Sequence, residues 1–111
     1  MKNVSEKKTK LKPEAIWKLA ETAAELKAIS ANIPVMSLPC GFAWVTIFGK
    51  SSFLTWCKSH KYATTDIKKG YVVKWVAEYN QNYTLKSIYA NEFAATLRKH
   101  GINAIAFSSL D

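Results

Sequence analysis

The sequence has few of the residues from which metal and catalytic sites are usually built. Its 111 residues include two histidines and two cysteines, and Cys40 and Cys57 do not form a closely spaced pair. Structural zinc sites usually draw paired ligands from tight turns, which this spacing does not offer. The four glycines are scattered, so there is no glycine-rich phosphate-binding loop. We therefore predict no metal and no cofactor, and we find no catalytic motif.

Long apolar runs are also missing. No run reaches the length of a membrane span, and no apolar stretch follows the charged first residues as it would in a signal peptide. Apolar residues nevertheless make up 49% of the chain and aromatic residues 13%, which excludes a wholly disordered protein. These features predict a flexible basic arm over residues 1–12 and a single domain over residues 13–111. They also predict a cytoplasmic protein with no membrane partner.

Acidic residues are scarce, with eight against sixteen lysines and arginines, so the formal net charge is +8. The first twelve residues carry five lysines and one glutamate, and six lysines within residues 41–75 face only Asp66. A basic arm joined to a basic body favours a polyanionic partner. The alternative is that the lysines only keep an aromatic-rich domain in solution.

Apolar spacing predicts three helices. The first begins at Pro13, ends near Ala31 and follows a helical period. The second is capped by Ser51 or Ser52 and ends near Ser59. The third is capped by Thr84 and ends before Gly101. The apolar positions of the first helix are Ile16, Leu19, Ala20, Ala23, Leu26 and Ile29.

Four strands are predicted between and after these helices. Aromatic and β-branched residues are typical of strands, and the segments rich in them are residues 41–48, 62–67, 71–77 and 102–107. Between the second and third strands we expect a tight turn over residues 68–70, with Gly70 at positive φ. In the third strand, alternation places Tyr71, Val73 and Trp75 on one face and Lys74 on the other.

The order of the last six elements predicts an α+β fold of the ferredoxin-like split βαβ type, with an extra helix before it. Such a fold places strands 41–48 and 71–77 side by side in the middle of the sheet. It covers one sheet face with two helices and leaves the other face open. The first helix, with Trp17 and Leu19, is a natural lid for that face or can pack at an edge.

Strand 41–48 has apolar residues on both of its faces. Alternation places Phe42, Trp44, Thr46 and Phe48 on one of them. Aromatic rings on a central strand are usually core, but rings interleaved with lysines can also stack bases while the lysines hold phosphates. Both interpretations stay open at this level.

One segment resembles RNA-recognition-motif proteins. That family has a basic residue, a glycine and an exposed aromatic residue at the start of its third strand, and Lys69-Gly70-Tyr71 matches these three. The match ends at Val72, Val73 and Lys74. Ala43-Trp44-Val45 loosely resembles the family's other signature. The resemblance implies an open sheet face on which bases stack.

A larger part of the chain is similar to a set of small tailed-phage proteins. The similarity lies in residues 38–45 (LPCGFAWV), in residues 79–81 (YNQ) followed by a helix, in residues 101–104 (GINA) and in residues 108–111 (SSLD). It implies a phage origin and an accessory or host-directed role, with the host cytoplasm as the site of action. It implies no particular chemistry.

The resulting hypothesis is a small, non-enzymatic protein that binds nucleic acid. Its candidate binding residues are Lys7, Lys8, Lys10, Lys50, Lys68, Lys69, Tyr71, Lys74 and Trp44. The alternative is a phage-type inhibitor that binds a host protein through an aromatic patch. An enzyme ranks third, since it requires scattered polar residues to meet in one pocket.

Overall fold

The computed structural model describes residues 11–34, 39–65, 69–79 and 82–110. Most of the predicted basic arm and residues 35–38 therefore lie outside the described residues, as do the candidate ligands Lys7, Lys8, Lys10 and Lys68. The described part of the chain forms a mixed α+β structure with three helices and a four-stranded antiparallel sheet.

Helix α1 (Pro13–Ser30) has the predicted bounds to within one residue. Proline stands at its first turn, where a missing N–H costs nothing. The buried stripe differs from the predicted one and consists of Ile16, Ala20, Ala24 and Ala28. Leu19, Leu26 and Ile29 are exposed instead, by 47%, 62% and 71%. A row of small residues lets two helices approach closely.

The sheet consists of β1 (Gly41–Ile47), β2 (Thr64–Thr65), β3 (Tyr71–Trp75) and β4 (Ala104–Leu110). Its strand order is β2-β3-β1-β4. The three pairings β2–β3, β3–β1 and β1–β4 are antiparallel. The prediction that the two most apolar strands lie side by side in the middle is confirmed by this order.

A bulge in the β1–β3 pairing changes the predicted faces of β3. Val45 pairs with Lys74, but the next β1 residue, Thr46, pairs with Val72, so Val73 has no partner across the ladder. A bulge breaks the two-residue alternation. The prediction that Tyr71 and Trp75 share a face is therefore wrong, because they lie on opposite sides of the sheet.

Helix α2 (Ser52–Ser59) is capped as predicted, since the Ser51 side chain accepts a hydrogen bond from the Leu54 N–H. Helix α3 (Tyr83–Lys99) begins earlier than predicted. Its cap is Asn82, whose Oδ1 accepts from the Leu85 N–H at 2.8 Å, and not Thr84. The third helix still ends as expected, with Gly101 at φ 80° donating to the Arg98 carbonyl.

The turn before β3 and the ends of three strands also differ from prediction. Lys69 takes the positive φ of 70°, whereas Gly70 does not. Gly70 is required for space, because a Cβ there would lie 2.6 Å from Thr46 Cγ2. In the described residues β2 spans two residues only, β3 ends at Trp75, and β4 runs on to Leu110 because β1 pairs with it back to Gly41.

The helices lie on one side of the sheet. Ala43, Val45 and Ile47 of β1 are fully buried against α3, in a core that also contains Phe93 and Leu97 of α3 and Phe53 and Cys57 of α2. Helix α1 packs chiefly against α3, with fewer contacts to α2. No helix in the described ranges is long and apolar enough to cross a membrane.

Candidate nucleic-acid interface

Four aromatic side chains line the sheet face that points away from the helices, and we call this set the tryptophan face. They are Phe42 and Trp44 of β1, Trp75 of β3 and Phe107 of β4. Trp44 lies at the centre, stacked on Trp75 with 5.2 Å between ring centroids and on Phe107 with 6.1 Å. Phe42 lies 5.9 Å from Trp75. The four rings therefore form one continuous aromatic layer.

This layer is accessible to solvent. Trp75 is 51% exposed and the neighbouring Ile105 is 42% exposed, while Trp44 is half-buried. The expected lid does not form, because Trp17 of α1 stacks on Phe53 of α2 instead, with 6.2 Å between centroids. Since α1 packs on α3, the face stays outside the core.

The bulge in β3 is what completes the tryptophan face. Strict alternation from Val73 would have turned Trp75 toward the helices. The register shift instead places Trp75 opposite Trp44. Directly opposed residues in an antiparallel pair have close Cβ atoms, which favours aromatic stacking.

Lys50 and Lys69 lie at one end of the open face, next to Phe48. Lys50 follows Phe48 by two residues. Lys69 precedes Gly70, whose position is so close to Phe48 that a Cβ there would lie 2.8 Å from the ring. Both lysines are exposed. This end of the sheet can therefore offer two cations beside an aromatic ring.

Lys86 supplies a cation near the other end. It lies in the first turns of α3 and is only 4% exposed, yet its Nζ lies 5.7 Å from the centroid of the Phe42 ring. A buried aliphatic stem with its ammonium group beside a ring is a weak cation–π arrangement. Sequence reasoning did not select Lys86, because a lysine within an amphipathic helix looks like a solvated side chain.

Two of the predicted binding residues lie on the opposite side of the sheet. Tyr71 pairs with the buried Ile47, and the Lys58 Nζ of α2 lies 4.1 Å above its ring. Lys74 pairs with Val45 and forms an ion pair with Glu78 at 3.2 Å. The match of Lys69-Gly70-Tyr71 to the RNA-recognition motif therefore does not place its aromatic residue on the open face.

A shallow basic depression of about 430 Å³ lies at the start of α2, beside the end of the sheet that carries Lys50. Its lining residues are Lys50, Ser51, Leu54, Thr55 and Lys58. None of these lining residues is acidic. The charges of Glu78, Glu21 and Glu25 contribute to a raised pKa of Tyr89. The lysines are nevertheless not confined to one side, since Lys18 and Lys27 are exposed on α1.

The sulfur and imidazole groups do not form a reactive cluster. Burial raises the pKa of the Cys57 thiol from 9.0 to about 12, so it stays protonated and unreactive near neutral pH. Cys40 is half-buried at a β-bridge to Asn82, and His60 stacks on Trp56 with 4.4 Å between centroids. Within the described ranges, no three His, Cys, Asp or Glu residues are grouped to hold a metal ion.

Sequence reasoning found Trp44, Lys50 and Lys69 and missed Phe107 as part of the same face. Alternation within the predicted last strand could have found Phe107, because Ile105 and Phe107 lie two residues apart and pair with Thr46 and Trp44. Phe42 was placed on the correct face but was not included among the candidate ligands.

Comparison with known proteins gives no relative. No family model matches the chain, and no match was found among curated proteins or among solved structures. The geometry of the molecule itself therefore carries the functional argument.

Proposed function

We propose that this protein binds single-stranded nucleic acid, with bases stacked on the tryptophan face and phosphates held by Lys50 and Lys69 at one end of it. The observation that carries the proposal is the stacked pair Trp44–Trp75 on a sheet face that α1 does not cover. Base–aromatic stacking contributes about 1–3 kcal/mol per base and tolerates any sequence, because every base has a π-face.

The charges support the same function. The net charge of +8 attracts a polyanion from a distance. Lys50 follows Trp44 by six residues, so at roughly 3.3 Å per residue its backbone lies within about 20 Å of the central ring. Lys86 lies beside Phe42 at the other end. Because Lys86 is only 4% exposed, the cations that a strand of a few nucleotides would meet as it crosses the rings are Lys50 and Lys69.

The test is the affinity of a labelled single-stranded oligonucleotide, measured by fluorescence anisotropy at low salt. Trp75→Ala should weaken binding about fivefold to a hundredfold, from the loss of one stacking partner. Leu26→Ala, which changes an exposed apolar residue on α1, is the control and should bind as the wild type does. Absence of wild-type binding, or equal affinity of the Trp75 variant, would overturn the proposal.

Two double variants, each of which removes two lysine charges, test the phosphate contacts. Lys50→Gln with Lys69→Asn should reduce the slope of log affinity against log salt by up to about 1.4, since each phosphate contact on a single strand contributes about 0.7. Asparagine is chosen at position 69 because it tolerates positive φ. Lys18→Gln with Lys27→Gln on α1 removes the same charge and should leave the slope unchanged.

The second candidate is a phage-type accessory protein that binds a host protein in the host cytoplasm. It is favoured by the absence of charged side chains at the described strand positions that share the tryptophan face, which are 42, 44, 46, 64, 72, 75, 105, 107 and 109. Protein interfaces are commonly anchored by such an aromatic patch. A pull-down from host lysate with nuclease added separates the two functions, because a partner retained after nuclease treatment favours this second one.

We also propose that the fold is of the ferredoxin-like split βαβ type with an added N-terminal helix. Support comes from the element order after α1 and from the strand order β2-β3-β1-β4, which places β1 between β3 and β4. Cross-strand NMR contacts from β1 to both neighbours would check that order. Contacts between β3 and β4 in place of these would contradict it.

A further inference from the structure

The two edge strands of the sheet, β2 and β4, differ in how well they are protected against pairing with a further strand. Strand β2 spans two residues in the described part of the chain, and a very short edge strand offers little for another chain to pair with. Strand β4 spans seven residues (AIAFSSL) and contains no charged residue and no proline. Its pairing with β1 has no register shift. Strand β4 itself therefore contains none of the features, a charge, a proline or a bulge, that commonly prevent strand addition.

The register identifies which backbone groups of β4 point outward. The Phe48 N–H donates to the Asn103 carbonyl at 2.9 Å, and the β1–β4 register continues from this pair. In an antiparallel ladder hydrogen-bonded pairs alternate, so Ile105 and Phe107 bond to β1 while Ala106 and Ser108 direct their N–H and C=O groups away from the sheet.

The outward backbone groups of β4 differ along its length in whether they have hydrogen-bond partners. Arg98 Nη1 donates to the outward carbonyl of Ala104 at 2.7 Å, which caps the first position. Ala106 and Ser108 follow, and their outward N–H and C=O groups have no backbone partner within the described ranges. Their side chains are small, so a neighbouring backbone can approach closely.

We propose that β4 pairs with β4 of a second copy of this chain, antiparallel about a two-fold axis at Phe107. In this register Ala106 of one copy faces Ser108 of the other, and the two equivalent pairs exchange four backbone hydrogen bonds. Phe107 then lies opposite its own copy in a non-hydrogen-bonded pair, where side chains are closest. The result is a continuous eight-stranded sheet with two joined tryptophan faces.

The seam is self-complementary, because the two residues with open outward groups, Ala106 and Ser108, pair with each other across the two-fold axis. Two chains of charge +8 repel each other, but β4 itself contributes no charged side chain to the contact, and Arg98 lies at its first position. The aromatic layer already reaches the seam, because Phe107 stacks on Trp44. Screening of the repulsion strengthens the dimer as salt rises, whereas salt weakens the binding of a polyanion. Without nucleic acid, the salt dependence of the oligomeric state therefore reports on dimerisation alone.

Sedimentation equilibrium of the whole chain in high salt, from low micromolar to millimolar concentration, tests the pairing. The wild type should change from monomer to dimer. Ser108→Pro should remain monomeric, because proline removes an outward N–H yet is tolerated on a free sheet edge. Ser108→Ala keeps that N–H while it removes the hydroxyl that lies 3.0 Å from the Tyr83 hydroxyl, so it should dimerise as the wild type does. A wild type that stays monomeric throughout would overturn the proposal.

Amide hydrogen exchange gives a readout that needs no variant. The N–H groups of Ile105 and Phe107 should be protected at every concentration, because they bond to β1. Those of Ala106 and Ser108 should exchange fast in dilute solution and become protected as the concentration rises. Dimerisation without protection at Ala106 and Ser108, or a Ser108→Pro variant that folds and dimerises normally, would show that the seam lies elsewhere.

Discussion

At the scale of single residues, Tyr89 is the least expected feature of the core. The side chain is fully buried between the sheet and α1, and its hydroxyl group has no hydrogen-bond partner among the described residues. Burial, and secondarily the charge of Glu78, raise the pKa of this hydroxyl group. An enclosed hydroxyl without a partner is a cost to the fold of about 1–3 kcal/mol.

Removal of this hydroxyl group should therefore not harm the protein. We expect Tyr89→Phe to raise the free energy of unfolding by about 1–3 kcal/mol near neutral pH, because the buried unpaired group disappears. Urea unfolding monitored by circular dichroism measures the change. A loss of more than about 1 kcal/mol would mean that the hydroxyl group has a partner that the structure does not reveal.

The same variant should also change the response to alkali. In the wild type the folded state keeps the Tyr89 proton at a pH where the unfolded chain loses it, so stability falls as the pH rises above the ordinary tyrosine pKa of about 10. Cys57 adds a similar fall between pH 9.0 and about 12. Tyr89→Phe should show a smaller loss than the wild type between about pH 8 and pH 11.

At the scale of elements, the start of α3 depends on one side chain. Asn82 is 2% exposed and caps the helix, while its Nδ2 donates to the Pro34 carbonyl at 3.0 Å. Asn82→Ala should lower the free energy of unfolding by about 1–2 kcal/mol, since both interactions are lost. Thr84→Ala is the matched control and should change stability by less than about 0.5 kcal/mol. An equal loss from the two substitutions in thermal unfolding would contradict the assignment of the cap.

The sequence predicts α1 and α2 closely because their signals are local. Pro13 sets the first turn of α1, and Ser51 caps α2 through a bond to a residue three positions away. For α3 both Asn82 and Thr84 are residue types that cap helices well. The choice of Asn82 depends on its bridge to Cys40 and its bond to the Pro34 carbonyl. Those contacts cross long stretches of sequence that no local pattern describes.

Part of the candidate site can likewise be predicted, because alternation along a strand is a local signal. Alternation along β1 correctly groups Phe42 and Trp44 on one face, although it leaves open whether that face is core or surface. It fails along β3, because a bulge is a property of two paired strands and cannot be read from one of them. Tyr71 and Lys74 are expected on opposite faces, but both lie on the helix side, and the true position of Trp75 follows only from its register with Trp44.

At the scale of the whole molecule, the four tryptophans divide into two separate pairs. Trp17 and Trp56 lie together among the helices, with 5.8 Å between centroids. Trp44 and Trp75 stack on the opposite side of the sheet. The row of alanines along α1 explains this division, because it allows α1 to lie against α3 and leaves the tryptophan face uncovered. In a binding experiment, Trp17 and Trp56 therefore serve as an internal control for Trp44 and Trp75.

Titration of the chain with a short single-stranded oligonucleotide, followed through the four indole N–H signals by NMR, tests the central claim most directly. We predict that the signals of Trp44 and Trp75 shift and saturate together, while those of Trp17 and Trp56 stay in place. A titration in which no indole signal moves, or in which only Trp17 and Trp56 respond, would contradict a binding role for the tryptophan face.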